Sequence, residues 1–429
     1  MNTAKNTKNF EEIINDLNNR NFDQALEKII LVSKDYPNFN IGDWDNGVKM
    51  YEKTLAFKIN KFKIYTNIGV ILFKLGKINQ SIDAFKSSIK DNPNFNLAHN
   101  NLGISYLELG LFEKAIHHFV LALKLNKNDL SAQRNLINIL SVSKPTNKDE
   151  HPLIDLNNKI SRIVNDFKIT NYYKIDNIKK ILNKSDDLIN NTEENLFLNE
   201  TQIFRKNSKN LNCFRHFKVF NEFNIIPKYC FSCYKVQINL FTIIDLIKLY
   251  LIFENLYLEN NNLKKCMIET RYQIKGNYKG YIYCEGLKEA KNVMKKINQE
   301  ILKIKLDNFK VVIKHGCSEF YKSYPKFEKI NFNGEQEIKY KNYWQEKEDI
   351  IDKRNPIRLK ADEKIRGESL KGINLSDILI IKNWINYADA IGDYSYKQIY
   401  EKKIKPSFIN KILQSQLTFR KKELLNIKF

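Results

Sequence analysis

A chain of 429 residues with 43% hydrophobic and 12% aromatic side chains can build two or three cores, which excludes a disordered or low-complexity protein. The formal net charge is +22 at pH 7. Heavy use of Lys, Asn and Ile with little Gly and Pro is what a low-GC genome produces, so the total charge does not by itself establish a polyanionic partner. The excess is uneven: +4 over residues 1–140 and +11 over residues 206–325. Residues 1–17 hold no apolar run, so no signal peptide is expected from them. The most apolar run, residues 240–258, is interrupted by Asp245, Lys248 and Glu254. It predicts a buried helix, no membrane insertion and a cytoplasmic protein.

Residues 1–140 repeat with a period of 34, seen in Gly42, Gly76 and Gly110, in Gly47, Ser81 and Ala115, and in Tyr51, Phe85 and Phe119. Gly69 and Gly103 would let paired helices approach, Gly76 and Gly110 would serve the turns, and Pro93 would end a helix. Tyr106, Phe85, Phe119, Ala115 and Ala122 would fill the seams. Ala25 and Pro37 mark an earlier unit, but the next equivalent of Ala25 is Gly47, 12 residues early. One repeat is therefore expected to lack its first helix near residues 38–44.

This pattern resembles the tetratricopeptide repeat, a helix–turn–helix unit of that length, over about residues 8–140. The resemblance implies an all-α solenoid whose groove binds a protein or peptide, and no chemistry. His99, His117 and His118 fall on repeat helices as groove or surface residues. Residues 141–205 predict two linking helices, at 153–167 and 175–189.

All six cysteines lie between residues 213 and 317, which marks residues 206–325 as a separate domain. Strand and helix patterns follow in the order β-α-β-β-α-β, a ferredoxin-like arrangement. On that topology Cys230, Cys233, Cys266, Cys284 and Cys317 are expected at one end of the sheet. Cys213 and His216 would fold back there from a short loop. Cys213, His216, Cys230 and Cys233 form two x2-spaced pairs, the pattern of a structural zinc site. Recruiting Cys266, Cys284 or Cys317 would suit an iron–sulfur cluster instead. By alternation Cys266 and Cys284 also read as small core residues.

"KGYIYCEG" (Lys279 to Gly286) resembles the third-strand motif of RNA-recognition domains. The resemblance implies bases stacked on Tyr281 and Tyr283, with Lys235, Arg271 and Lys314 alongside. Ile282 and Gly286 depart from the motif, and Glu269 places a negative charge on the same face. A metal- or thiol-dependent enzyme is a further alternative, with Glu269, Arg271, Glu285, His315 and Glu319 as the polar residues available to it.

Residues 326–429 predict an irregular stretch followed by helices, with Ser376–Asp377 as a helix start. This region resembles uncharacterised extensions of repeat proteins from low-GC bacteria, a resemblance that implies no activity. The reading from sequence is an adaptor with a cysteine-rich, metal-holding domain.

Overall fold

The computed structural model describes residues 61–145, 150–165, 173–192, 196, 198–205, 211–271, 274–304, 306, 308–354, 368–402 and 414–425. The earlier repeats, with Ala25, Pro37, Gly42, Gly47, Tyr51 and the shortened unit at 38–44, lie outside the described residues. The chain forms two compact units, Met1–Glu108 and Leu109–Phe429.

In the first unit, α1 (Lys61–Lys74), α2 (Ile78–Asp91) and α3 (Asn96–Glu108) follow one another through short turns. Gly76 takes φ +77°, a left-handed conformation that glycine adopts without steric cost. At Gly69 the requirement is space: a Cβ there would stand 2.5 Å from the Phe85 ring. The fully buried Phe85 therefore seats its ring directly on the backbone of α1. Small hydroxyl residues complete the seams. Thr66 and Ser88 pair at 2.8 Å, and Ser81 and Ser105 at 3.0 Å. Both pairs are buried, so each satisfies polar groups that would otherwise be costly.

The second unit opens with α4 (Phe112–Leu125) and α5 (Leu130–Ile139), capped by Asp129, whose carboxylate accepts from the amides of Ser131 and Ala132. Gly110 has φ +71°, and Ala115, Phe119 and Ala122 are fully buried. The linking helices are α6 (Pro152–Asn165) and α7 (Ile175–Asn190).

The sheet has five antiparallel strands in the order β1-β3-β4-β2-β5: β1 (Gln202–Arg205), β2 (Cys233–Leu240), β3 (Lys264–Ile268), β4 (Tyr278–Glu285) and β5 (Phe309–His315). Four strands alternate with α9 (Ile243–Asn255) and α10 (Leu287–Lys303) in β-α-β-β-α-β succession. The fifth, β1, lies in the segment that sequence patterning assigned to a helical linker. Only four residues long, it is too short for alternation to register. The stretch around Cys213 and His216 is α8 (Cys213–Phe223), a helix and not a short loop.

β1 is fixed by charge as well as by its ladder. Arg205 is buried and meets Glu254 of α9 at 2.6 Å. It also pairs with Asp377, at the start of α12 (Leu375–Ile391). Tyr250 donates to the same Asp377 carboxylate at 3.0 Å. Helix α12 starts on a capping box of Asn374 and Asp377, two residues before the expected Ser376 cap. Asp377 thus serves the helix N-terminus and the arginine at once. The remaining helices are α11 (Trp344–Arg354) and α13 (Gln414–Leu425).

Candidate functional site

One face of the sheet is covered by helices. A Cβ on Gly280 would stand 2.3 Å from Leu249 of α9, so alternate residues of β4 face away from them. Cross-strand register then places Phe204, Lys265, Tyr281 and Gln237 in one row on the opposite face, and Tyr283, Lys235 and Lys314 in the next.

Four cysteines gather at one end of that face. The Gly316 amide donates to the Cys233 carbonyl at 2.8 Å, which sets Cys317 beside Cys233. Gly316 has φ +64°, and a Cβ there would stand 2.3 Å from the Phe327 ring. Cys230 and Cys317 belong to one apolar cluster with Phe320, Phe327 and Trp344. Lys235 donates to Cys317 Sγ at 3.0 Å. Cys213, at the start of α8, is close enough for its charge to act on Cys230, Cys233 and Tyr283.

The geometry departs from the predicted ligand set. His216 is buried, with its ring stacked on Tyr229 at 5.2 Å. Burial, then the charge of Arg215, hold it down at about 4. It sits beside an ion-pair cluster in which Arg215 bonds both carboxylate oxygens of Asp352 at 2.8 Å and also pairs with Glu348. Cys266 is not at the cysteine end: it lies opposite Gly280, while Tyr234 lies opposite Cys284. Cys266 and Cys284 are both buried. Their parity along the strands puts them on the helix-covered side, as small core residues.

Burial pushes the Cys230 thiol well up and the Cys233 thiol to about 11, so both are protonated at neutral pH. Among the described residues no group of three or more His, Cys, Asp or Glu is set to hold a metal ion. The zinc and iron–sulfur expectations are therefore left without a coordinating set there. All six cysteines are free thiols.

Of the polar residues available for catalysis, Glu269, Arg271 and Glu319 meet, while His315 and Glu285 stand apart from them. Glu269 is buried and bonds Arg271 at 2.9 Å, and Arg271 reaches Glu319 at 3.1 Å. Burial would raise the Glu269 carboxyl, but Arg271 and Lys279 outweigh it and hold it low. His315 is at the other end of the sheet. Its two ring nitrogens lie 2.8 and 3.0 Å from the carbonyls of Phe327 and Phe231. Glu285 faces Cys233 across the ladder. His99 is held at 3.0 Å from the Pro93 carbonyl.

The face turned away from α9 holds the cations expected of it, and Lys265 besides. Lys235 lies over the Tyr283 ring at 5.5 Å. Lys265 lies over Tyr281 at 5.2 Å and over Phe204 at 5.7 Å. Burial, then Lys235 and Arg271, bring the Lys265 ammonium down to about 8. Phe204 belongs to the unforeseen strand β1, so no motif could have paired it with Lys265.

In the helical region, a TPR repeat model matches residues 69–110 and a tetratricopeptide repeat model matches residues 97–129. Residues 69–129 are tetratricopeptide repeats. No curated protein is significantly similar to the chain. Among solved structures, MamA AMB-1 is similar at 19% identity, covering 32% of this chain and 82% of that one, with a TM-score of 0.23. The MamA RS-1 ArsTM double mutant is 18% identical, covering 32% of this chain and 84% of its own, with a TM-score of 0.23. MamA 41-end from Desulfovibrio magneticus RS-1 is 16% identical over 45% of this chain and 99% of its own, with a TM-score of 0.23. Similarity at that level identifies neither a shared function nor a shared partner. Among the described residues no helix is long and apolar enough to cross a membrane.

Proposed function

We propose that this protein is an interaction adaptor that holds a protein partner on its tetratricopeptide repeats. The repeat matches over residues 69–129 carry this reading. The surface of the first unit agrees with it. Val70 and Phe73 on α1, and Ile104 and Leu107 on α3, stay partly exposed. They are equivalent pairs across the repeat period, so the same face of successive first helices offers an apolar wall. A solenoid presents such a wall to a partner segment, and an apolar wall suits a segment with apolar anchors.

The sheet of the second unit is read as a ferredoxin-like unit extended by one edge strand. The order β3-β4-β2-β5 and the β-α-β-β-α-β succession support that reading.

The test is affinity isolation of the full chain from its own cells, beside a Phe73→Glu/Ile104→Glu variant with the same helical circular dichroism. Proteins retained by the parent chain and lost from the variant are expected. Identical retained proteins would remove the reading.

A further inference from the structure

We propose that the β1 edge of the sheet, on the face turned away from α9, carries a nucleotide-binding patch, with a base on the Phe204 ring and a phosphate at the neighbouring Lys265 ammonium.

Among the described residues two cations of this face, Lys265 and Lys314, make no ion pair or hydrogen bond, and of the two only Lys265 stands over an exposed ring. Among the described residues no carboxylate, carbonyl or hydroxyl accepts a hydrogen bond from its ammonium, which lies over the Phe204 and Tyr281 rings and feels the Glu269 carboxylate without bonding it. The cations beside it are engaged. Arg271 is paired with Glu269 and Glu319, and Lys235 donates to Cys317. Lys265 is nevertheless partly withdrawn from water. A charge in that position is costly without an anion, and a phosphate would supply one.

The walls select the kind of anion. Phe204 is 47% exposed at the sheet edge, in the same row as Lys265 and Tyr281. An exposed ring one strand away from an ammonium with no hydrogen-bonded anion matches a ligand with a π-face and a phosphate joined by a sugar-length spacer. Bases stack on aromatic side chains, and phosphates take lysine. The platform lies on β1, outside the four-strand succession, so it is independent of the Tyr281/Tyr283 motif.

The groups facing Lys265 are Lys235 of β2, Tyr281 of β4, Phe204 of β1, Cys213 of α8, and Glu269 and Arg271 after β3. Both cations depress its proton affinity, and a bound phosphate would restore it. Affinity is therefore expected to fall as pH rises through about 8, because the free chain then holds a neutral amine.

The experiment is fluorescence anisotropy of the full chain with a labelled oligouridylate of about ten nucleotides, a length sufficient for one stacking site, with uridine monophosphate as competitor. Salt-sensitive binding is expected, weakened about tenfold or more by Lys265→Met and by Phe204→Ala. Lys265→Arg is expected to keep binding and lose its decline above pH 8, because guanidinium stays charged. Competition by the monophosphate would identify free nucleotides as the source; resistance to it would identify a strand. No binding, or binding that Lys265→Met and Phe204→Ala leave unchanged while both variants fold, would overturn the proposal.

Discussion

The two units are stabilised by contacts of very different reach along the chain. In the repeats, Phe85 closes on Gly69 and Ser81 pairs with Ser105, so every decisive contact joins neighbouring helices. In the sheet unit, Arg205 reaches Asp377 across 172 residues, and Arg215 reaches Asp352 across 137. A local architecture can be read from a period and weakened piecemeal. A non-local one is written in pairs that no period reveals, and it should fail more abruptly when a pair is broken.

The largest effect is expected at that long pair. Asp377→Ala would leave the buried Arg205 with half its counter-charge and remove a helix cap, a loss of about 3–5 kcal/mol. Denaturant unfolding of the full chain should show the second unit melting early while the first unit, Met1–Glu108, is unchanged. Concerted melting of both units would mean that the two do not differ as described.

A smaller effect is expected in the repeats. Gly69→Ala places a Cβ against the Phe85 ring and should cost about 1–3 kcal/mol. The paired Gly69→Ala/Phe85→Leu variant should recover part of that loss. No recovery would mean that the helix seam is not what the glycine serves.

The effect confined to acid, and absent at neutral pH, is the response of His216. Its folded pKa, about 4, lies below the ordinary 6.5. Between these values the unfolded chain binds a proton that the folded chain refuses. Stability from this site is therefore full above about pH 6.5 and is lost as pH falls toward 4, by an amount on the order of 3 kcal/mol at most. His216→Phe should flatten that part of the stability–pH curve. An unchanged slope would assign the acid response to other groups.

The same contrast explains what was legible in the sequence. The repeat helices were readable because glycine, aromatic and small residues recur at fixed spacing, each answering a packing need that recurs with it. In the sheet unit the alternating strands β2 and β5 and the amphipathic α10 were readable for the same reason. β1 was not, because four residues beside an arginine carry no period. The x2 spacing drew Cys213 and His216 into one expected site, but on a helix three positions apart they serve different neighbours. Cys213 stands near the other thiols, and His216 packs on Tyr229 beside the Arg215 ion pairs. Spacing identified residue types suited to metal, while the stacking of His216 on Tyr229 depends on a neighbour that the spacing does not specify. Lys265 carries no sequence signal, because its setting comes from the Phe204 and Tyr281 rings of the strands on either side.

The adaptor reading is tested most directly by site-specific photocrosslinking in the source cells. A photoreactive phenylalanine analogue would replace Leu107 on the repeat wall or, as a control, Leu302 of α10, which is 65% exposed. The account predicts a discrete crosslinked protein from position 107, identifiable by mass spectrometry, and none of that identity from position 302. Crosslinks from position 302 alone, or the same product from both, would contradict a partner held on the repeats.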